Sequence, residues 1–190
     1  MYTPVKVALV LFVGALLGIA ATWFVVFARG MPGGVSDGAW RTNAAIGSSG
    51  GDIYTRASVA VHGLLALNGS ETVYYTAMTD GAGAALDGAC AYKITGRDPD
   101  ARWWSITAYG ADDYLIPGTD GHYSVSKNSI LHKDDGTFAA TVSQAPAGAN
   151  WIAVRPGRFS LTLRLYNPGA SVTADRAHAA LPSLEKLSCR

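Results

Sequence analysis

Gly47-Ser48-Ser49-Gly50-Gly51 satisfies the GxSxG spacing, in which a serine on a sharp strand-to-helix turn becomes an acyl-transfer nucleophile. That chemistry needs a buried strand directly before the serine, and only Ala44-Ala45-Ile46 precedes the run, so a Gly/Ser linker is the better reading. His62, His122, His132 and His178 form no HExxH-like pair on a helix, and no metal centre is expected. His62 reads as a surface or packing residue and His132 as a solvated residue beside a turn, while His122 stands next to Tyr123. Asp112-Asp113 and Asp134-Asp135 offer paired carboxylates, but glycoside chemistry needs two of them facing across a cleft, and adjacent strand residues point to opposite faces. Turn formation through their side chains explains them better.

Two cysteines, Cys90 and Cys189, match neither a zinc spacing nor CxxC. In an oxidising compartment they would form one disulfide; a buried thiol with a free tail thiol is the alternative. No catalytic residue and no cofactor is assigned. The most suggestive group is aromatic and cationic: Trp103, Tyr109, Tyr123, Trp151, Arg164 and Tyr166, with His122 beside them. On one concave face, stacking on the rings and an arginine fork would suit a sugar, a lipid headgroup or a protein segment. The competing reading puts the rings inside a sandwich and pairs Arg164 with a local carboxylate.

These residues need elements to position them. The chain has 190 residues, of which an N-terminal apolar segment takes nearly thirty and leaves the usual size of one domain. Fifteen basic residues against fourteen acidic ones give a net charge of +1, with no block of either sign, which argues against nucleic-acid binding. Residues 7–28 carry no charge, and about twenty apolar residues cross the hydrocarbon core of a bilayer as a helix. Lys6 precedes the run, while Trp23 and Phe24 lie near its far end, where aromatic rings sit at headgroup level. The charge bias for a cytoplasmic N-terminus is slight. Val26-Phe27-Ala28 has the pattern of a cleavage site, but the apolar stretch exceeds the core of a signal peptide, so residues 1–28 are expected to remain as a transmembrane anchor. Gly14 and Gly18 form a GxxxG that would let a membrane protein partner or a second copy approach closely.

Residues 29–51 are Gly/Ser-rich and read as a flexible tether, with the folded domain expected over 52–190. Asp52 can cap a helix whose apolar positions are Ile53, Ala57, Val61, Leu64 and Leu65. Beyond Gly69 the period becomes two, which predicts strands over 72–78, 88–95, 102–109, 137–143 and 159–166. The tail, 173–190, reads as a short helix stopped near Pro182 and an irregular end.

The strands carry a series of words: LDGACAY at 86–92, RWWSITAYGADDYLIPG at 102–118, HYSVSKNS at 122–129, NWI at 150–152 and FSLTLRLYNP at 159–168. Together they resemble the DUF1214 family over roughly residues 52–188, most closely its short members with an N-terminal hydrophobic segment. The resemblance implies a mainly β fold, an antiparallel β-sandwich of jelly-roll type with one or two short helices. Larger relatives join this domain to a second one, DUF1254, which is not seen in this sequence. Relatives often carry an arginine where this chain has His122, which weakens any role for a cation there. The expected function is that of a single-pass protein of a bacterial inner membrane, its β-domain in the periplasm as a non-catalytic accessory or binding subunit. The alternative is an envelope enzyme acting on a carbohydrate or lipid-like substrate through the His122, Tyr123 and Arg164 region.

Overall fold

The computed structural model describes residues 3–28, 34–61, 66–117 and 120–189. Helix α1 (Pro4–Trp23) starts on a proline, whose fixed φ suits the first turn, and ends in a π-helical turn, Phe24–Ala28. The stretch Pro4–Phe27, 24 residues that include an 18-residue window of mean hydropathy 2.5, is long and apolar enough to cross a membrane. Its side chains are exposed apart from those near Val26, where the turn lies against α2 (Ile53–Val61).

Among the described residues, ten strands follow in two sheets. The first runs in the order β1 (Val35–Asp37), β2 (Trp40–Thr42), β3 (Thr72–Ala77), β9 (Phe159–Pro168), β5 (Ala101–Gly110), β6 (Ser124–Ser126). The second runs β10 (Ser183–Cys189), β4 (Cys90–Gly96), β7 (Phe138–Ser143), β8 (Trp151–Ala153). Every pair is antiparallel except β7 with β8, which is parallel.

The alternation of β9 explains the layering. Leu161, Leu163 and Leu165 are fully buried on one face, and the register sets Leu163 between Tyr75 of β3 and Ile106 of β5. The second sheet turns Tyr92, Ile94, Phe138, Ala140, Val142 and Ile152 toward them. Trp104 stacks on Phe138 with ring centroids 5.2 Å apart, and Tyr92 meets Phe159 edge-on at 5.7 Å, so the two sheets close on one core as a β-sandwich. Each large side chain removed from water there contributes about 1.5–3 kcal/mol. Tyr75 is buried in this layer, its hydroxyl donates to the Arg176 carbonyl at 3.0 Å, and burial pushes its pKa up to about 12.

Several sequence expectations change. The expected tether 29–51 contains β1 and β2, joined by the Gly38-Ala39 turn, and the sheet therefore begins near Val35 and not at Asp52. The physical reason is Trp40: it is 1% exposed, and its indole N–H donates to the Pro182 carbonyl at 2.6 Å, contacts that favour the ordering of this Gly-rich segment. The tail ends not irregularly but as β10, antiparallel to β4. Asp52 does cap α2, accepting from the Thr55 N–H at 2.8 Å, and this bond holds its carboxyl below the usual carboxylate range. Yet the buried residues of α2 are Thr55 and Ser58, while Ile53 and Val61 face outward. His62, Leu64 and Leu65 lie outside the described residues. Helix α3 (Ala170–Ala174) is capped from a distance by Asp100, which accepts from the Ser171 hydroxyl at 2.6 Å and whose carboxyl is thereby held low.

Candidate functional site

The outer face of the six-stranded sheet is built from the residues that alternate with the buried leucines. Register pairs Trp103 with Tyr166 and Ser105 with Arg164. The Trp103 and Tyr166 rings meet edge-on at 5.2 Å, and the indole N–H of Trp103 donates to Asn128 Oδ1 at 3.1 Å. Arg164 Nη2 donates to the Tyr109 hydroxyl at 2.6 Å, with the guanidinium carbon 5.3 Å from the center of that ring. Among the described residues no carboxylate lies within salt-bridge distance of Arg164; its partner is a phenol. These four side chains form one row, half-buried, on β5 and β9. Beside them Thr72, Tyr74, Ser105, Thr107 and Thr162 are buried, so the row borders a covered part of the sheet.

His122 and Trp151 sit elsewhere. Their rings lie 4.8 Å apart beside an open cleft of about 480 Å³, whose walls also include Asp120, Gln144 and Arg155. Most polar groups here are already engaged: the Trp151 N–H donates to the Ser143 carbonyl at 3.1 Å, Gln144 Nε2 to the Gly88 carbonyl at 2.8 Å, and Arg155 Nε to the Pro117 carbonyl at 2.6 Å. Tyr123 is exposed at the end of β6, its carbonyl accepting from the Ala108 N–H. The seven aromatic, histidine and arginine positions therefore divide between a sheet face (Trp103, Tyr109, Arg164, Tyr166) and a loop cleft (His122, Trp151), with Tyr123 at a strand end. Asp120, Gln144 and Arg155 were not singled out from sequence; the turn words Pro-Ala-Gly at 146–148 and Arg-Pro-Gly at 155–157 were the available signal.

The other candidates resolve into local structure. Ser49 lies in a run of turns well beyond β2, with its carbonyl accepting from Arg56 Nη2 at 3.1 Å, and a Cβ on Gly47, at φ +71°, would strike the Leu67 carbonyl. The GxSxG glycines thus serve close chain packing. Asp112 accepts from the Tyr114 N–H and Asp135 from the Thr137 N–H and hydroxyl, which hold the Asp135 carboxyl below its usual range. Asn150 bridges the Leu131 N–H at 2.8 Å and the Leu131 and Ala139 carbonyls at 2.7 and 3.0 Å. His132 Nε2 lies 2.8 Å from Asp98 Oδ1. Among the described residues no group of three His, Cys, Asp or Glu side chains converges at metal-binding distance. Cys90 and Cys189 are bonded, joining β4 to β10.

Residues 71–170 match the family described as a protein of unknown function, DUF1214. The chain belongs to the DUF1214 family. The family segment runs from just before β3 to the start of α3, so it contains both the Trp103 row and the His122 cleft, while β1, β2, α2 and β10 lie outside it. Among solved structures, the VPA0106 protein from Vibrio parahaemolyticus aligns with 99% of this chain at 21% identity and a TM-score of 0.64, a likeness of fold. The chain spans only 47% of the length of that protein. An uncharacterized protein from Burkholderia cenocepacia aligns with 63% of this chain and 30% of its own at 19% identity and a TM-score of 0.45. No curated protein matches.

Within the DUF1214 segment, Gly88 sets the cleft wall: a Cβ there would run into the Arg155 carbonyl, which is backbone and cannot swing aside. Gly88→Ala should therefore push the 155–157 loop outward and cost about 1–3 kcal/mol, read as a lowered denaturation midpoint. Outside it, His178 and Asp175 form an exposed pair at 2.8 Å; the hydrogen bond raises the His178 pKa above 6.5 and lowers that of Asp175 below 3.8. The histidine's contribution to stability is present below pH 6.5 and fades as pH rises through its raised folded value; the aspartate's is present above 3.8 and fades as pH falls through its lowered one. Asp175→Asn should move the His178 titration, followed by NMR, back toward the ordinary imidazole value.

Proposed function

We propose that the chain is a single-pass anchored binding or accessory subunit of a bacterial inner membrane, with its DUF1214 domain on the periplasmic side and the Trp103, Tyr109, Arg164 and Tyr166 row as its binding face. The observation that carries this reading is the row itself: a guanidinium held by a phenol and flanked by two edge-packed rings keeps donors for an anionic or carbonyl-rich partner surface. Two further features support it. The apolar stretch of 24 residues exceeds the about 7–15 residues of a signal-peptide core, which favours retention as an anchor. A disulfide between β4 and β10 is at home in an oxidising compartment. Gly14 and Gly18, exposed one turn apart on α1, offer a second contact to a membrane protein partner or a second copy.

The test is the native mass of the intact protein extracted from its own membranes in mild detergent. Trp103→Ser with Arg164→Gln should reduce the assembly to the free chain, and Gly14→Leu with Gly18→Leu should weaken it while leaving insertion intact. An assembly unchanged by the Trp103 and Arg164 pair of substitutions would remove the row from the account. A catalytic reading on a carbohydrate or lipid-like envelope substrate draws on a different observation, the nearness of His122 and Asp120 to one cleft. It predicts that His122→Gln abolishes turnover, and under the binding reading that substitution leaves the assembly unchanged.

A further inference from the structure

Helix α2 is amphipathic with the wrong side out. Successive helical residues are rotated by about 100°, which places Ala60, Ile53, Ala57, Val61 and Tyr54 on one face and Ser58, Thr55 and Val59 on the other. In a helix that served only the core, the first face would be buried. Here Thr55 and Ser58 are 4% and 3% exposed, while Ile53 is 76%, Val61 48% and Tyr54 43% exposed. The sandwich core is complete without this apolar face, none of whose residues belongs to it.

The position of α2 says what meets that face. The helix lies against the Phe24–Ala28 turn at the end of the apolar stretch, beside the buried Val26. At that level Trp23 and Phe27 stack at 5.9 Å and, with Phe24, stay exposed, the pattern of an aromatic belt at a bilayer surface. Arg56 at the flank of the face donates to the Ser49 and Gly51 carbonyls, and Tyr54 presents an apolar ring with a polar tip, both suited to headgroup depth. We infer that α2 is an interfacial helix: its Ile53, Tyr54, Ala57 and Val61 face rests in the lipid headgroup and upper acyl region beside the exit of the span, and fixes the tilt of the β-domain over the membrane. The inference rests on the reading of α1 as a retained span. An in-plane amphipathic helix buries its apolar face about 5–10 Å into the headgroup boundary.

Spin labels test the placement in the full chain reconstituted in nanodiscs. With the native disulfide closed, Ile53→Cys or Val61→Cys supplies the single reactive thiol; both side chains are exposed, and the second variant covers any misfolding of the first. Labels at both sites should lose accessibility to an aqueous nickel chelate and keep accessibility to oxygen, as a label at Leu11 in the span does, whereas one at the exposed Lys133 should remain open to the chelate. Chelate access at 53 and 61 equal to that at 133 would overturn the inference, and so would shielding from both reagents, which would mean that protein covers the face. A label at Leu11 that reads as aqueous would instead refute the span itself, so the two failures are distinct.

Discussion

Cys189→Ser is expected to lower the unfolding free energy by about 4–5 kcal/mol and the melting temperature by about 10 °C or more. The bond joins residues separated by 99 positions, and freeing so long a loop restores most of the chain entropy that the crosslink removes from the unfolded state. The cost is mechanical as well. Among the described residues β10 is an edge strand paired with β4 and exposed along most of its length beyond Leu184, so the covalent tie reinforces its pairing at the C-terminal end. Wild-type protein treated with reductant should melt at the same lowered temperature as the variant. If neither treatment changes the melting curve, the two sulfurs are not paired in the mature protein.

Trp40→Ala is expected to cost about 3–5 kcal/mol, as for other aromatic residues removed from a core. Trp40 is fully enclosed, belongs to the same cluster as Trp104 and Tyr75, and carries the bond from its indole to Pro182. Its loss should release β1 and β2 from the sheet and with them the mounting between α1 and the sandwich. A milder pair sharpens the point. Trp40→Phe leaves the Pro182 carbonyl without this donor, whereas Trp104→Phe removes an indole N–H that has no hydrogen-bond partner among the described residues. The first substitution should therefore be the more damaging, although both lose the same volume. Denaturant midpoints followed by near-UV circular dichroism in detergent measure the difference; equal losses would show that the Pro182 bond contributes nothing.

The parts of the fold legible in the sequence were those with a strict period. Strand β9 reads directly from Phe159, Leu161, Leu163 and Leu165, and β5 from Trp104, Ile106 and Ala108, because each is buried on the face that those residues share. Strands β6 and β8 have three residues each, too few for a period to show, and β8 pairs in parallel across a loop that carries no hairpin signal. Strands β1 and β2 were hidden by glycine and serine around a single tryptophan, whose burial depends on a partner, Pro182, at the other end of the chain. For α2 the period was right and the direction was not: periodicity reveals that a face is apolar, and a membrane-proximal helix can turn that face away from the core. Of the candidate site, only the residue types were legible. Residue types grouped Trp103, Tyr109, Tyr123, Trp151, Arg164 and Tyr166 as one aromatic and cationic set, but their division between a sheet face and a cleft follows from pairing register, which no local pattern encodes.

Peptide-mapped labelling of intact spheroplasts with a membrane-impermeant amine reagent tests the central claim, an anchored domain on the outer side of the membrane. Lys6 lies in the first turn of α1, ahead of the uncharged run 7–28, and Lys133 and Lys186 are exposed on the β-domain. The account predicts modification of Lys133 and Lys186 in intact spheroplasts, modification of Lys6 only after permeabilisation, and recovery of the Lys6 peptide from the same chain. Modification of Lys6 with protection of Lys133 and Lys186, or a mature chain lacking residues 1–28, would contradict it.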